Sequence, residues 1–297
     1  MRPLVAIDWG TSSLRGARLG AQGEVLEERA SARGILTVAA GGFPAVLQES
    51  FGDWLADPAT LCLMSGMVGS RQGWREAPYC ACPAGFADIA AALAWVEPGR
   101  IAIVPGLRCD QAGVPDVMRG EETQVFGALS LQGAQAGLFV LPGTHSKWVT
   151  VLAGRVEGFA TFMTGEVYAL LRQHSILART MAEADGALDA DAFVQGVRHA
   201  RLTGNLLQAA FSARTLALFD RLGPAAAPSY LSGLLIGEEL RSQVPAAGQP
   251  VTLIGSAALT QRYALALESL GVPSQAFGAQ AGWQGLWAIA AQLQGQP

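Results

Sequence analysis

Short apolar runs punctuated by turn residues set the pattern at the start of the chain. Leu4–Ile7 is continuously apolar, Gly-Thr-Ser-Ser follows, "LRGARLG" alternates apolar and polar positions, and "AQGE" leads into another extended stretch. A short continuous run predicts a buried strand, alternation a half-buried one, and Gly-rich tetrapeptides the turns between them. The pattern returns at residue 137. "GLFVLPGTHSKWVTVLAGRVEGFATFM" again offers a buried run, a Gly-Thr turn with small polar residues, the alternating "KWVTVL", a Gly turn and a third strand. With a gap of one residue, Gly10-Thr11 aligns with Gly143-Thr144 and Ser13 with Ser146, and Pro142 stands where the first copy has Asp8. Two related βββ modules, each opening a domain, are expected. The boundary falls in "SLQGAQAG", giving domains 1–130 and 131–297.

Helical spacing of apolar residues fills the intervals. It marks "GGFPAVLQESFGDWL" (41–55), "EETQVFGALSL" (121–131), "TGEVYALLRQHSILA" (164–178), "DADAFVQGVRHARL" with an Asp to cap it, and "SYLSGLLIGEELRSQV" (229–244). Late in the chain come a strand, "PVTLIG", a helix, "SAALTQRYALALESLG", and a structural helix, "AGWQGLWAIAAQLQ". Strands alternating with helices make this an α/β chain.

Composition removes several function classes. Hydrophobic residues are 51% and charged residues 15%, enough for large cores and unlike a disordered chain. The net charge of −4, with no basic block, argues against nucleic acid as a partner. The most apolar window, "GFADIAAALAWV" (85–96), is short and holds Asp88, so no membrane span is expected. "MRPLVAID" reaches an aspartate too early for a signal peptide. Cys62, Cys80, Cys82 and Cys109 therefore read as reduced thiols of a cytoplasmic protein, and "CAC" lacks a second pair at zinc spacing. Arg, Ala, Gly and Leu dominate, Asn205 is the one asparagine, and Lys147 is the one lysine against 19 arginines. Where Arg is the default cation, a retained Lys suggests a site that needs a compact ammonium; retention by chance on a strand is the bland alternative.

Neither a Walker A motif nor a GxGxxG fingerprint is present. The paired turns offer another phosphate site, because consecutive backbone N–H groups and hydroxyls form an anion-binding concavity. Gly10, Thr11, Ser12, Ser13 and Gly143, Thr144, His145, Ser146 are the candidates, and could hold a polyphosphate between them. Asp8, ending a buried strand, suits a hydrated Mg²⁺ bridging to phosphate, or else hydrogen bonds to its own turn. Lys147 would contact the transferred phosphoryl group or a substrate anion. His145 shapes the turn or meets substrate, with proton transfer as its other reading. Glu121 and Glu122, before a helical stretch, serve the helix dipole or provide a general base.

"AIDWGTSSLR", "SGMVGSRQGW", "VMRGEETQ", "LPGTHSKWV", "FMTGE" and "LSGLLIGEE" together resemble the 2-dehydro-3-deoxygalactonokinase family, in order from residue 5 to about residue 290. More widely the chain is similar to the actin-like ATPase (ribonuclease H-like) superfamily. That resemblance implies two βββαβα domains flanking a nucleotide cleft, with ATP and Mg²⁺ clamped by two phosphate hairpins. It implies ATP-dependent phosphorylation of the 6-hydroxyl of 2-dehydro-3-deoxy-D-galactonate, a small sugar acid. By analogy with the Glu-Glu helix of exopolyphosphatases, Glu121 is the first choice as base and Glu122 the second. Arg15, Arg119 and Arg214 are candidates for the substrate carboxylate. The Gly-rich stretch Gly66, Met67, Val68, Gly69 to Trp74 would line the substrate, and Gly255-Ser256 would admit the nucleoside. An exopolyphosphatase-like hydrolase and a non-catalytic nucleotide-gated module are the rival readings, and exposed apolar helix faces leave room for a homodimer.

Overall fold

The strands of the first module form where the pattern puts them. In the computed structural model, which describes residues 2–184, 186–243 and 248–294, β1 (Leu4–Trp9) pairs antiparallel with β2 (Leu14–Leu19), and β2 with β3 (Val25–Ser31). Then follow α1 (Phe43–Phe51), β4 (Leu61–Ser65), β5 (Tyr79–Ala81), α2 (Phe86–Ala91), β6 (Ala94–Glu97), β7 (Ile101–Ile103), β8 (Gly106–Gln111), β9 (Val114–Met118) and α3 (Glu121–Gln132). The main sheet runs β3-β2-β1-β4-β7-β6, with β1, β4 and β7 mutually parallel and β6 an antiparallel edge; β5, β8 and β9 make a small separate sheet. Every residue of β4 is buried, as a strand covered on both faces requires.

The second module repeats the plan. It comprises β10 (Gly137–Leu141), β11 (Ser146–Leu152), β12 (Arg155–Phe162), α4 (Thr164–His174), α5 (Ala190–Thr203), α6 (Leu206–Leu218), α7 (Ala227–Ser242), β13 (Val251–Ile254), α8 (Ala257–Glu268), β14 (Ser274–Phe277) and α9 (Gln280–Gln294). Its sheet runs β12-β11-β10-β13-β14, with β10 and β13 parallel. Counted within each sheet, and setting the β6 edge aside, both read 3-2-1-4-5.

Two units are not produced by a single cut. One comprises Met1–Gly137, Val149–Phe159 and Phe277–Pro297, the other Leu138–Trp148 and Ala160–Ala276. The expected domains 1–130 and 131–297 place the last helix in the second, whereas α9 packs on α3 in the first unit, with Gly127 and Gly285 at the crossing. The first core gathers Val5, Ile7, Trp9, Phe51, Met64 and Ile103. The second gathers Val140, Trp148, Phe193, Ile236, Leu253 and Tyr263. Asp189 caps α5, accepting from the Ala192 N–H at 3.0 Å. The helix α6 was not anticipated as a separate element. The chain's one asparagine starts it, with Asn205 Oδ1 accepting from the N–H groups of Leu207 (3.0 Å) and Gln208 (3.3 Å). The expected end of α7 at Val244 lies outside the described residues.

Candidate active site

In the first unit, β1 delivers Asp8 and then the turn Gly10–Ser13, closed by the Gly10 N–H donating to the Ser13 carbonyl at 2.9 Å. The Gly10 and Thr11 carbonyls accept from Ile35 and Leu36, at 3.0 and 3.3 Å, while the Thr11, Ser12 and Ser13 side chains are exposed. Asp8 faces Arg15 across the β1–β2 pair, and their side chains form an ion pair. That engages Arg15, one of the three candidates for a substrate carboxylate.

Backbone contact places a helix N-terminus beside Asp8. In the parallel register Asp8 lies next to Ser65, the last residue of β4, and Gly66 follows with φ +95°. A Cβ on Gly66 would stand 3.0 Å from the Trp9 carbonyl oxygen and 3.3 Å from Asp8 Oδ1. Gly120, at φ +108°, leans on Gly66 so closely that its own Cβ would meet the Gly66 Cα at 3.2 Å. Only glycine combines that dihedral with that approach. The Ser65 and Thr123 hydroxyls meet at 3.2 Å, and Thr123 Oγ1 donates to the Gly120 carbonyl at 2.7 Å, tying α3 to β4.

The two glutamates of this helix differ. Glu122 is fully buried, and its carboxyl oxygens accept from the Gly120 N–H at 2.9 and 2.7 Å. Burial, with the nearby Glu121 charge adding to it, pushes its pKa up to about 8. Glu121 is half-buried, and its Oε2 accepts from the Arg119 N–H at 3.0 Å.

The Gly-rich loop is anchored more than it is open. Val68 is wholly buried in the core, Met67 packs against it, and Trp74 stacks on Phe43 with centroids 6.3 Å apart. Gly69 lies under Arg119, where a Cβ would come within 2.9 Å of Nη1. Arg71 pairs with Glu76 at 3.0 Å on the exposed side. Arg119 lies over the Tyr79 ring, 4.3 Å from its centroid, and Nη2 donates to the Ala77 carbonyl at 2.8 Å. Its Nε and Nη1 are buried with no protein hydrogen bond, a costly state for a cation's donors.

In the second unit the turn Pro142–His145 joins β10 to β11, four residues between strands as in the first. Aligned turn on turn, Gly10 falls on Pro142 and Trp9 on Leu141, so Val140 rather than Pro142 occupies the place of Asp8. The start of α4 brackets this turn. The Glu166 N–H donates to the Thr144 carbonyl at 3.1 Å, His145 Nε2 and Glu166 Oε2 lie 2.6 Å apart, and a Cβ on Gly165 would come within 2.4 Å of the Gly143 oxygen. Lys147 is buried, and its Nζ donates to Thr161 Oγ1 of β12 at 2.7 Å. Ser146 is fully buried, its hydroxyl 2.8 Å from that of Tyr263. Gly255, after β13, lies by the Pro142 carbonyl, and the exposed Ser256 is the N-cap residue of α8. Arg214 sits on α6, its Nη1 3.5 Å from the Ile176 carbonyl oxygen.

Glu166 and Glu239 escaped the sequence reasoning. Glu239, buried in α7, accepts from Trp148 Nε1 at 2.6 Å, from the Tyr263 hydroxyl at 2.7 Å, and from the Thr164 hydroxyl. The signal was there in each case: an acid closing "FMTGE", and an acid on the otherwise apolar "LSGLLIGEE".

Among the described residues no three His, Cys, Asp or Glu side chains group as a metal site, and burial pushes the Cys82 thiol up to about 12. The partly exposed Asp8 carboxylate, paired with Arg15 and the one acid of β1, fits an ion held mainly by water and phosphate.

The same strand order recurs in both sheets, each with a four-residue turn after its first strand, and the fold is that of the actin-like ATPases. Comparison with known proteins narrows this class to a family. The model of the family described as 2-keto-3-deoxy-galactonokinase matches residues 8–289. A Rhizobium meliloti (strain 1021) protein named "Probable 2-dehydro-3-deoxygalactonokinase DgoK1" is 44% identical over 283 residues, covering 92% of each chain. The 2-dehydro-3-deoxygalactonokinase of Escherichia coli (strain K12) is 38% identical over 269 residues, covering 90% of each. A Sinorhizobium meliloti crystal structure, given the same enzyme name provisionally, superposes with a TM-score of 0.91 at 40% identity, covering 99% of this chain and all of that one. The chain belongs to the 2-keto-3-deoxy-galactonokinase family and is a sugar-acid kinase, an enzyme that uses a nucleotide phosphoryl donor.

Proposed function

We propose that the enzyme transfers the γ-phosphoryl group of ATP to the 6-hydroxyl of 2-dehydro-3-deoxy-D-galactonate, with Glu121 as general base. The observation that carries the assignment of roles is the packing of Gly120 on Gly66, which sets the half-buried Glu121 at a helix start next to Asp8. Glu122 does not suit that role, because it is fully buried, bound to its own helix N-terminus, and holds its proton through neutral pH. Glu121 accepts the proton of the attacking hydroxyl as the new O–P bond forms and the bond from the γ-phosphorus to the bridging oxygen breaks, that oxygen leaving with ADP. Asp8, paired with Arg15, would hold a hydrated Mg²⁺. When bound, that ion spreads the charge of the phosphates. We assign phosphate binding in each unit to its own turn, Gly10–Ser13 or Gly143–Ser146, through backbone N–H groups other than that of Gly10, and nucleoside binding to Gly255-Ser256.

Of the three arginines weighed for the substrate carboxylate, Arg119 has the strongest support. Arg15 is engaged by Asp8 and keeps one buried donor, Nε, without a partner, and Arg214 rests against the Ile176 carbonyl, whereas Arg119 keeps two such donors, Nε and Nη1. A cytoplasmic location belongs to the same reading, in keeping with four free cysteines and with no described helix long and apolar enough to cross a membrane.

The test is ADP release over a panel of 2-keto-3-deoxy sugar acids, for the parent and for Arg119→Lys. The galactonate-derived acid should give the highest kcat/KM, and the variant should lose mainly in KM for the acid. A panel in which no sugar acid stimulates ADP release would overturn the substrate assignment.

A further inference from the structure

Glu239 takes no part in the chemistry above, yet it is the most heavily hydrogen-bonded carboxyl in the second unit's interior. It is 2% exposed. Trp148 Nε1 can only donate, so Glu239 Oε1 is an acceptor at 2.6 Å. The Tyr263 and Thr164 hydroxyls both donate to Oε2. With its proton on Glu239, the Tyr263 oxygen is left to accept from Ser146 Oγ at 2.8 Å. The hydroxyl protons therefore run one way, from Ser146 to Tyr263 to Glu239. Burial raises the Glu239 pKa, and its hydrogen bonds from Thr164, Trp148 and Tyr263 oppose that rise, as expected of a group held in place by its donors.

Each donor stands one step from the turn or from the nucleoside segment. Ser146 and Trp148 begin β11, directly after Pro142–His145. Thr164 precedes Gly165 and Glu166, the pair that brackets the turn. Tyr263 is on α8, the helix that starts after Gly255-Ser256. A single carboxyl thus ties together the three elements that flank the proposed donor site.

We propose that Glu239 is a positioning residue for the phosphoryl donor: it fixes the Pro142–His145 turn and α8 in one arrangement, and so sets nucleotide affinity without touching nucleotide. The inference rests on the reading of the second unit as the half that binds the nucleoside and one phosphate turn. Glu239→Gln puts an amide donor where two hydroxyls donate, and Tyr263→Phe removes the link between Ser146 and Glu239 while keeping the ring. Both variants should remain folded by near-ultraviolet circular dichroism; if Glu239→Gln does not, Tyr263→Phe carries the test.

The probe is the non-hydrolysable analogue AMPPNP, its Kd measured by calorimetry, beside the KM for the sugar acid. AMPPNP binding should weaken roughly tenfold in Glu239→Gln and by a smaller factor in Tyr263→Phe, with the sugar-acid KM unmoved. Loss of general stability would instead move both constants together, and that result, or an unchanged AMPPNP Kd, overturns the proposal. Gly165→Ala separates the two levels. If it weakens AMPPNP while the Glu239 and Tyr263 variants do not, the positioning role fails and the nucleotide reading stands. If none of the three affects AMPPNP, both fail.

Discussion

The turn at Gly10–Ser13 and the turn at Pro142–His145 join the first two strands of sheets with the same core order, yet they are surrounded by different chemistry. Beside the first stand carboxyl groups: Asp8 on its own strand, Glu121 and Glu122 on the helix pinned to Gly66. Beside the second, Val140 replaces Asp8, and the acids are structural partners instead, Glu166 for the turn and Glu239 for the strand behind it. A duplicated backbone can keep a four-residue turn between its first two strands while the residues in it change, here Gly-Thr-Ser-Ser in one copy and Pro-Gly-Thr-His in the other. Side chains are free to diverge, so one turn stands beside carboxyl groups at a helix start and the other against acids that are bonded into its own supports.

That contrast can be broken in several ways. The largest effect should come from Glu121→Gln, with kcat reduced about 10²- to 10⁴-fold and substrate KM values near parental, measured by steady-state kinetics. Full turnover would move the base elsewhere. Next is Gly165→Ala, whose Cβ would overlap the Gly143 carbonyl oxygen at 2.4 Å. Backbone atoms cannot swing aside, so the turn must shift, and kcat/KM for ATP should fall by up to about 10²-fold. Lys147→Arg asks a buried strand position, 6% exposed, to accept a planar fork where an ammonium meets Thr161. We expect about a tenfold loss of kcat/KM and a lower Tm, because overpacking costs about 1–3 kcal/mol. A parental result would make the lone lysine an accident of codon usage.

Glu122→Gln sharpens the comparison through pH. The folded-state pKa of Glu122, about 8, lies above the usual unfolded value of about 4.3. Between those values the folded protein keeps a proton that the unfolded chain has lost. This group's contribution is therefore fully present below the lower pKa and is lost as pH rises, at about 1.4 kcal/mol per unit, until it flattens above the upper one. The variant should remove that slope, so its stability relative to the parent rises from pH 5 to pH 8 in urea titrations. Arg214→Ala should matter least, changing kcat/KM less than about twofold, since its nearest hydrogen bond is long and part of ordinary surface packing.

Much of the fold could be read from the chain because the signals are local. Four-residue turns, continuous apolar runs and alternation sit within a few positions, and they locate β1 to β3 and β10 to β12. The placement of α9 could not be read, because an apolar stripe says that a helix is covered, not by which partner. The helix α6 was hidden for a related reason: Leu207, Phe211 and Leu218 are exposed, which blurs the period. At the site, Gly66, Gly120 and the glutamate pair were visible as glycine and acid beside predicted turns. Val68 was assigned to the substrate wall with its glycine neighbours, but an apolar side chain after a buried strand found the core instead. The bonds of Glu239 to Trp148, Thr164 and Tyr263 span 91, 75 and 24 positions, beyond the reach of any local pattern.

The return of α9 to the first unit has a consequence for biosynthesis. On the ribosome, α3 emerges early, but its partner helix is made only after the whole second unit has been translated. Until then one flank of the element that bears Glu121 stays unsealed. A nascent chain that has not yet made α9 would then carry α3 with its Gly127 face uncovered.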